Sequence, residues 1–127
     1  EKIIIRISPS RFMGEIYNWP DLDEMLIYFV SKIQKIGLKI IDISCANADY
    51  YETSGVIIRK VRAQGWKGII IGGASLSLEQ ANHEIDESYV DLVTWARSIL
   101  ANVDFVSQLK NNKELRTMTD KIRMELY

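Results

Sequence analysis

The sequence predicts an α/β fold built from four successive strand–helix units. Four apolar runs of strand length alternate with segments in which apolar residues recur at the 3.6-residue spacing of a helix. The connections are only a few residues long, and the handedness rule for such crossovers predicts parallel strands with helices packed outside them. A half-barrel and a small open doubly wound sheet both satisfy this pattern, which does not separate them.

The first unit is predicted between Lys2 and Gly37. Lys2 to Ser8 is an apolar, β-branched run typical of a buried parallel strand, and residues 10–20 are predicted to form a loop. Asp21 begins a helix, with Glu24 three residues later as an approximate capping box, and Gly37 ends it. The apolar stripe of this helix consists of Leu22, Met25, Leu26, Phe29, Val30 and Ile33.

The second and third units follow the same order of strand and helix. Lys39 to Ser44 and Gly68 to Gly72 are the predicted strands. A helix near Ser54 to Gln64 follows the first of them, after a polar loop. The helix after the second strand is predicted to begin at a capping box formed by Ser77 and Gln80.

The fourth predicted strand runs from Val90 to Trp95, and short helices are predicted at 103–109 and 119–126. No linker, low-complexity segment or long charge run interrupts the chain, which predicts a single domain over residues 1–127. A complete (β/α)₈ barrel needs about 250 residues. If these strands belong to a barrel, roughly half of it must come from elsewhere.

Composition and charge argue against several classes of partner. The 16 basic and 17 acidic residues are spread along the chain and form no basic stripe of the kind that binds nucleic acid. Apolar runs are far shorter than the roughly 20 residues that cross a bilayer, so we expect no membrane partner either. A single cysteine, Cys45, excludes an internal disulfide and fits a reducing, cytoplasmic compartment. The start at Glu1, directly inside a strand pattern, favours a piece of a larger protein.

The pair Gly72–Gly73, between the third strand and a helix, is a candidate phosphate site. Glycine lets backbone amides approach a phosphate, and a helix N-terminus favours negative charge, although a plain turn needs the same residues. Arg97, just beyond the fourth strand, is predicted at the same end of the sheet, where its guanidinium would suit phosphate oxygens. The alternative for Arg97 is a surface ion pair with Asp104 or Glu79.

Arg6 is unusual because it interrupts an apolar strand that a parallel sheet normally buries. A charge in that position needs a partner. The partner is either an electron-rich ligand at the end of the strand or the carboxylate of Asp42 on the next strand. The residues leave these two alternatives open.

The other polar and aromatic candidates favour structural roles. His83 has no second metal-type ligand at a useful spacing and is predicted to be solvated, and Cys45 is predicted to be a small buried hydrophobe. Tyr50, Tyr51 and Trp66 lie in or beside loops, where they are expected to pack or to cover a site. The sequence contains no Ser-His-Asp set, P-loop or GxGxxG motif.

Three strings together resemble successive blocks of the old yellow enzyme family: residues 6–9 (RISP), 69–73 (IIIGG) and 90–104 (VDLVTWARSILANVD). The last block is similar to the strand-8 pattern of that family, and residues 35–38 (KIGL) resemble its approach to strand 6. The resemblance covers nearly the whole chain. It implies that the four strands are strands 5 to 8 of a flavin-binding (β/α)₈ barrel.

The resemblance also implies cofactors and site residues. Arg6 would approach the pyrimidine side of FMN, while Gly72, Gly73, Ala96 and Arg97 would cradle its phosphate. In the complete enzyme, NADH or NADPH reduces FMN, which then reduces an activated alkene. The partners implied are flavin and either a missing N-terminal half-barrel or a second copy of the chain.

Departures from the family pattern limit what this chain is expected to do alone. Ala96 stands where the family has glycine, Val103 replaces a proline, and residues 45–47 replace a Glu-Pro-Arg string. Tyr127 matches a C-terminal tyrosine of the family only with altered spacing. The substrate-binding His pair or His and Asn, and the proton-donating tyrosine, would all precede Glu1. We therefore expect the isolated chain to be inactive on an enone.

Overall fold

The computed structural model of the protein describes residues 3–45 and 49–125. The chain divides into two units, Glu1–Thr94, which holds every described strand, and Trp95–Tyr127, whose described regular elements are short helices. In chain order the elements are β1 (Ile4–Ile7), β2 (Ser10–Phe12), β3 (Ile16–Asn18), α1 (Leu22–Lys35), β4 (Ile40–Ile43), α2 (Ser54–Ala63), β5 (Ile69–Gly72), α3 (Leu78–Asp86), β6 (Leu92–Val93), α4 (Arg97–Ala101), α5 (Phe105–Lys110) and α6 (Asp120–Glu125).

The four predicted strands form one parallel sheet in the order β1-β4-β5-β6. This spatial order is the order of the strands along the chain, so the sheet contains no point at which the direction of winding reverses. A doubly wound sheet requires such a reversal. The doubly wound alternative is therefore wrong, and the prediction of a half-barrel with four parallel strands is confirmed.

The helices of the first unit lie side by side against one face of the sheet. Helix α2 packs on β4 and β5, and α1 packs on α2. Lys60 of α2 bonds Asp23 of α1 at 2.6 Å, and Arg59 of α2 bonds Glu84 of α3 at 2.8 Å. Right-handed crossovers between strands in sequential order produce this one-sided arrangement. The strand residues buried beneath the helices are Ile41, Ile43 and Ile70.

Residues 10–20, predicted as a loop, instead contain the antiparallel hairpin β2–β3. Arg11 pairs with Tyr17 across the hairpin, and its guanidinium lies 5.0 Å from the centre of the tyrosine ring. Gly14 supplies the positive φ of 86° in the turn. Turn-forming residues in this segment favoured a loop. The strands on either side of the turn are only three residues long, too short to give a clear alternation of apolar and polar residues.

The two predicted capping boxes have different outcomes. Ser77 and Gln80 form theirs in full, since each side chain accepts a hydrogen bond from the backbone N–H of the other residue. The box predicted at Asp21 and Glu24 is wrong, because Asp21 has a left-handed backbone with φ 51° and its side chain caps nothing. At the other end of α1, Gly37 follows the helix with φ 78°, as predicted.

The strand before the second unit is shorter than predicted, with only Leu92 and Val93 in β6. The second unit contains α5 and α6 close to the two predicted tail helices, and also α4, which was not predicted. Asn102 is fully buried there and donates to the carbonyl oxygens of Ser98 and Arg116 at 2.8 and 2.9 Å. Its own oxygen accepts from the Arg116 N–H at 2.8 Å. This one side chain joins α4 to the segment before α6.

Candidate functional site

The face of the sheet opposite the helices is the face that a complete barrel would enclose. Strand register places alternate residues of all four strands on this inner face. The face is largely apolar and open, with Ile4 53% and Leu92 54% exposed. Its residues are Ile4, Arg6, Ile40, Asp42, Ile69, Ile71 and Leu92.

Arg6 and Asp42 form an ion pair on the inner face, as direct partners in the register of β1 and β4. Nε of Arg6 donates a hydrogen bond of 2.8 Å to the carboxylate oxygen Asp42 Oδ2, and Nη2 lies 2.6 Å from the same oxygen in an ion-pair contact. The arginine side chain is 68% exposed, whereas the aspartate side chain is only 8% exposed. Structural pairing with Asp42 is thus confirmed, but it leaves most of the guanidinium facing open space.

The chemistry of this pair leaves binding capacity on both partners. A guanidinium has five N–H donors in a fixed planar fork, and Asp42 engages the edge formed by Nε and Nη2. The remaining N–H groups of Arg6 suit a planar, electron-rich acceptor such as a carbonyl or carboxylate edge. In addition, Asp42 Oδ1 is buried and has no hydrogen-bond partner in the described part of the chain. Such an unsatisfied buried atom is uncommon and points to a functional site or a missing partner.

The positions of Gly72 and Gly73 are explained by packing inside the chain. A Cβ added to Gly72 would lie 2.7 Å from Ile58 Cδ1 of α2, on the helix side of the sheet. A Cβ added to Gly73 would lie 2.7 Å from the hydroxyl oxygen of Thr94. Packing therefore favours glycine at both positions, most strongly at Gly73, whether or not a phosphate binds near them.

The backbone after Gly73 is strained. Ala74 and Ser75 both have positive φ, 150° and 56°, before Ser77 caps α3. Residues other than glycine rarely adopt positive φ angles. Such strained backbone conformations concentrate at functional sites. The hydroxyl of Ser54, at the start of α2, donates to the Gly73 carbonyl oxygen at 2.9 Å and holds this turn in place. Sequence reasoning missed this feature, because neither alanine nor serine signals a positive φ.

Ala96 and Arg97 belong to the second unit, where they are the N-cap and the first residue of α4. Ala96 has φ −91° and ψ −63°, which any residue adopts, so its backbone does not require the glycine of the family pattern. The residues predicted to cradle the phosphate, Gly72, Gly73, Ala96 and Arg97, are thus divided between two units. Their assembly into one site stays a prediction.

Other candidates have structural roles or lie outside the site. His83 is exposed, as predicted, and Cys45 is buried, where desolvation raises the pKa of its thiol. Within residues 3–45 and 49–125, no cluster of His, Cys, Asp or Glu side chains is suited to hold a metal ion. Ala46, Asn47 and Tyr127, which figured in the family comparison, lie outside the described residues. Among the helices described, none has the length and apolar character needed to cross a membrane.

No family model and no curated protein sequence matches the chain. Solved structures do match: the old yellow enzyme from Trypanosoma cruzi superposes with a TM-score of 0.74 at 19% sequence identity, covering 94% of this chain and 31% of that enzyme. Morphinone reductase superposes with a TM-score of 0.72 at 18% identity, covering 94% of this chain and 32% of the enzyme. Another structure of morphinone reductase, in complex with tetrahydroNAD, superposes with a TM-score of 0.69 at 16% sequence identity.

The chain therefore spans about a third of the length of the enzymes that it resembles. Nearly all of this chain superposes on part of those enzymes, with the strands and helices in the same order. We conclude that the protein has the fold of a partial (β/α)₈ barrel, of the kind found in old yellow enzyme and morphinone reductase.

Proposed function

We propose that this chain is the FMN-binding portion of an NAD(P)H-dependent flavin oxidoreductase of the ene-reductase type. The observation that carries the proposal is the exposed guanidinium of Arg6, anchored by Asp42 on the inner face of a partial barrel. In parallel α/β folds, ligands bind at the carboxyl ends of the strands, and Arg6 is the third of the four residues of β1.

The residues present fit one part of the flavin. The pyrimidine ring of a flavin carries carbonyl oxygens and a ring nitrogen that accept hydrogen bonds, and the free N–H groups of Arg6 are suited to donate to them. For the phosphate, the family resemblance implies Gly72, Gly73, Ala96 and Arg97, and the strained turn after Gly73 is the part of this set that the first unit supplies. Ala96, at the N-cap of α4, has a backbone conformation that does not stand in the way.

When bound, FMN would supply a two-electron carrier between NADH or NADPH and an activated alkene. This chain contributes to the binding and orientation of the flavin rather than to the binding of the alkene. The groups that clamp the substrate in the family, and its proton donor, have no counterpart among the site residues identified here. Turnover therefore belongs to the complete barrel, and flavin binding is the property to test in this chain.

The test is a pair of titrations of the purified chain, with FMN and with riboflavin, followed by flavin fluorescence. We expect saturable binding of FMN and binding of riboflavin weaker by roughly ten- to a hundredfold, because a guanidinium–phosphate contact contributes roughly 1.5–3 kcal/mol. Arg97→Gln should remove the preference for FMN, whereas Arg123→Gln, a matched loss of charge in α6, should preserve it. A folded chain that binds neither flavin would contradict the proposal.

A second candidate function is a non-catalytic module that self-associates. The observation in its favour is that β1 and β6 form the edges of the sheet and pair with no further strand among the described residues, while the inner face is open and apolar. Exposed parallel edges favour pairing with another chain. A second copy would supply four more parallel strands of the same kind.

Chain mass in solution separates this candidate from a monomeric flavin-binding portion. If the chain self-associates, light scattering at increasing concentration should give twice the mass of the chain. Leu92→Lys on the inner face should then restore the monomer. Ile36→Lys is the control, since Ile36 is 74% exposed at the end of α1, away from the sheet. A wild-type chain that stays monomeric at high concentration would exclude self-association.

A further inference from the structure

We propose that Asp42 is a positioning residue for a bound flavin: it fixes the edge of the Arg6 guanidinium that faces the ligand and sets the net charge at that position. The inference rests on the proposed function, since it concerns the same site. It assigns a role to a residue that neither the sequence pattern nor the fold comparison identifies as functional.

The two side chains of the Arg6–Asp42 pair differ in how firmly the fold holds them. Asp42 is almost fully buried on β4, so its carboxylate occupies a fixed place. Arg6 is mostly exposed, and a long exposed side chain is otherwise free to adopt many rotamers. The hydrogen bond from Nε at 2.8 Å and the ion-pair contact of Nη2 at 2.6 Å, both with Oδ2 of Asp42, restrict the guanidinium to one orientation. The Nη1 end is then the part presented to a ligand.

The same contact lowers the positive charge that Arg6 presents to a ligand. The carboxylate lies within hydrogen-bond distance of the guanidinium, so the pair presents a smaller positive field than an unpaired arginine. A flavin gains electron density on its pyrimidine ring when it is reduced. A weaker positive field beside that ring favours the reduced form less. Asp42 therefore holds the reduction potential of the flavin lower than Arg6 alone would.

The experiment compares three variants with the wild-type chain. Asp42→Asn keeps the shape and an acceptor oxygen but removes the charge, whereas Asp42→Ala removes the anchor altogether. Asp23→Asn is the matched control, because Asp23 forms an ion pair with Lys60 on the helix side of the sheet. For each variant, binding of oxidised FMN is measured by fluorescence, the midpoint potential by dye-coupled reduction, and the melting temperature by circular dichroism.

In Asp42→Asn we expect the affinity for reduced over oxidised FMN to rise about tenfold, which corresponds to a midpoint potential about 30 mV more positive for a two-electron couple. In Asp42→Ala we expect oxidised FMN to bind about tenfold more weakly. Asp23→Asn should change neither quantity. If Asp42 has only a structural role, Asp42→Asn should lower the melting temperature but have the same midpoint potential as Asp23→Asn. That result would overturn the inference.

The proposed function and this inference fail in different ways. If the wild-type chain binds no FMN, the proposed function is wrong and the role of Asp42 is wrong with it. If the wild-type chain binds FMN and Asp42→Asn has an unchanged potential, flavin binding stands and only the role of Asp42 is overturned. If Asp42→Ala does not fold, the potential of Asp42→Asn still decides the question.

Discussion

The hydroxyl of Tyr50 donates a 2.6 Å hydrogen bond to Oε2 of Glu84, a carboxylate that is fully buried. The second oxygen of Glu84 accepts from Arg59 at 2.8 Å, and Arg59 also lies 4.1 Å from the centre of the Tyr89 ring. The loop before α2, α2 itself and α3 therefore meet at one buried charge. Because a buried charge without partners is strongly unfavourable, this contact fixes the spacing of two outer helices.

The first prediction is that Tyr50→Phe destabilises the chain by about 1–3 kcal/mol, the usual cost of leaving a buried acceptor unsatisfied. The ring and its packing are retained, so the loss reports on the hydrogen bond to Glu84. Urea denaturation followed by circular dichroism measures it. Tyr28→Phe is the control, because Tyr28 is exposed on α1. Equal stabilities for the two variants would be inconsistent with this contact as the link between the helices.

The second prediction concerns pH. Burial and the contact with Glu84 raise the pKa of Tyr50 above its ordinary value of 10.0. The stability linked to this group is therefore complete below pH 10 and is lost as the pH rises further, by at most about 1.4 kcal/mol per pH unit. The free energies of unfolding of wild type and Tyr50→Phe should be measured between pH 8 and 11. The difference between them should be constant at first and shrink above pH 10. A difference in unfolding free energy that stays constant over the whole pH range would contradict a raised pKa for Tyr50.

The third prediction is that Gly73→Ala destabilises the chain by roughly 1–3 kcal/mol, the usual range for overpacking. The added methyl group would lie 2.7 Å from the Thr94 hydroxyl oxygen. Gly14→Ala is a useful comparison, since Gly14 has positive φ but no atom near its added Cβ, so that only backbone strain is tested. Thermal unfolding of both variants provides the measurement. A Gly73→Ala variant as stable as wild type would show that the turn after β5 adapts, and would reopen a phosphate-specific reason for this glycine.

The fourth prediction is that Asn102→Ala unfolds the second unit locally. The Asn102 side chain is fully buried, its three hydrogen bonds to Ser98 and Arg116 are partly buried, and truncation would leave those backbone groups unsatisfied. Hydrogen exchange should therefore rise over residues 97–116. Asn111→Ala removes a comparable side-chain bond from an exposed site and should have little effect. Unchanged protection in Asn102→Ala would contradict the structural role.

The strand–helix order was predictable from sequence because buried parallel strands are continuously apolar and each helix carries a periodic stripe. The box at Ser77 and Gln80 was predictable for a similar reason, since both of its hydrogen bonds are local. Asp21 and Glu24 have the same spacing, but the chain leaves the β2–β3 hairpin with Asp21 in a left-handed conformation, which moves its side chain away from the helix amides. That outcome depends on tertiary structure.

The candidate site was predictable only in part. Arg6 stood out because a charge inside an apolar strand needs a partner, and Asp42 could be named because parallel pairing brings the ends of adjacent strands together. What sequence does not contain is the unequal burial of the two side chains, or the positive φ of Ala74 and Ser75. Both depend on how separate elements pack around the turn and the inner face.

The measurement that tests the central claim most directly is an FMN titration of the wild-type chain beside Arg6→Gln and Lys35→Gln. Both variants lose one positive charge, but Lys35 is exposed in the last turn of α1. If Arg6 on the inner face holds the flavin, wild type and Lys35→Gln bind FMN with the same affinity and Arg6→Gln binds at least tenfold more weakly, a difference of about 1.4 kcal/mol. Equal affinities in all three proteins, or no saturable binding by the folded wild type, would contradict the account.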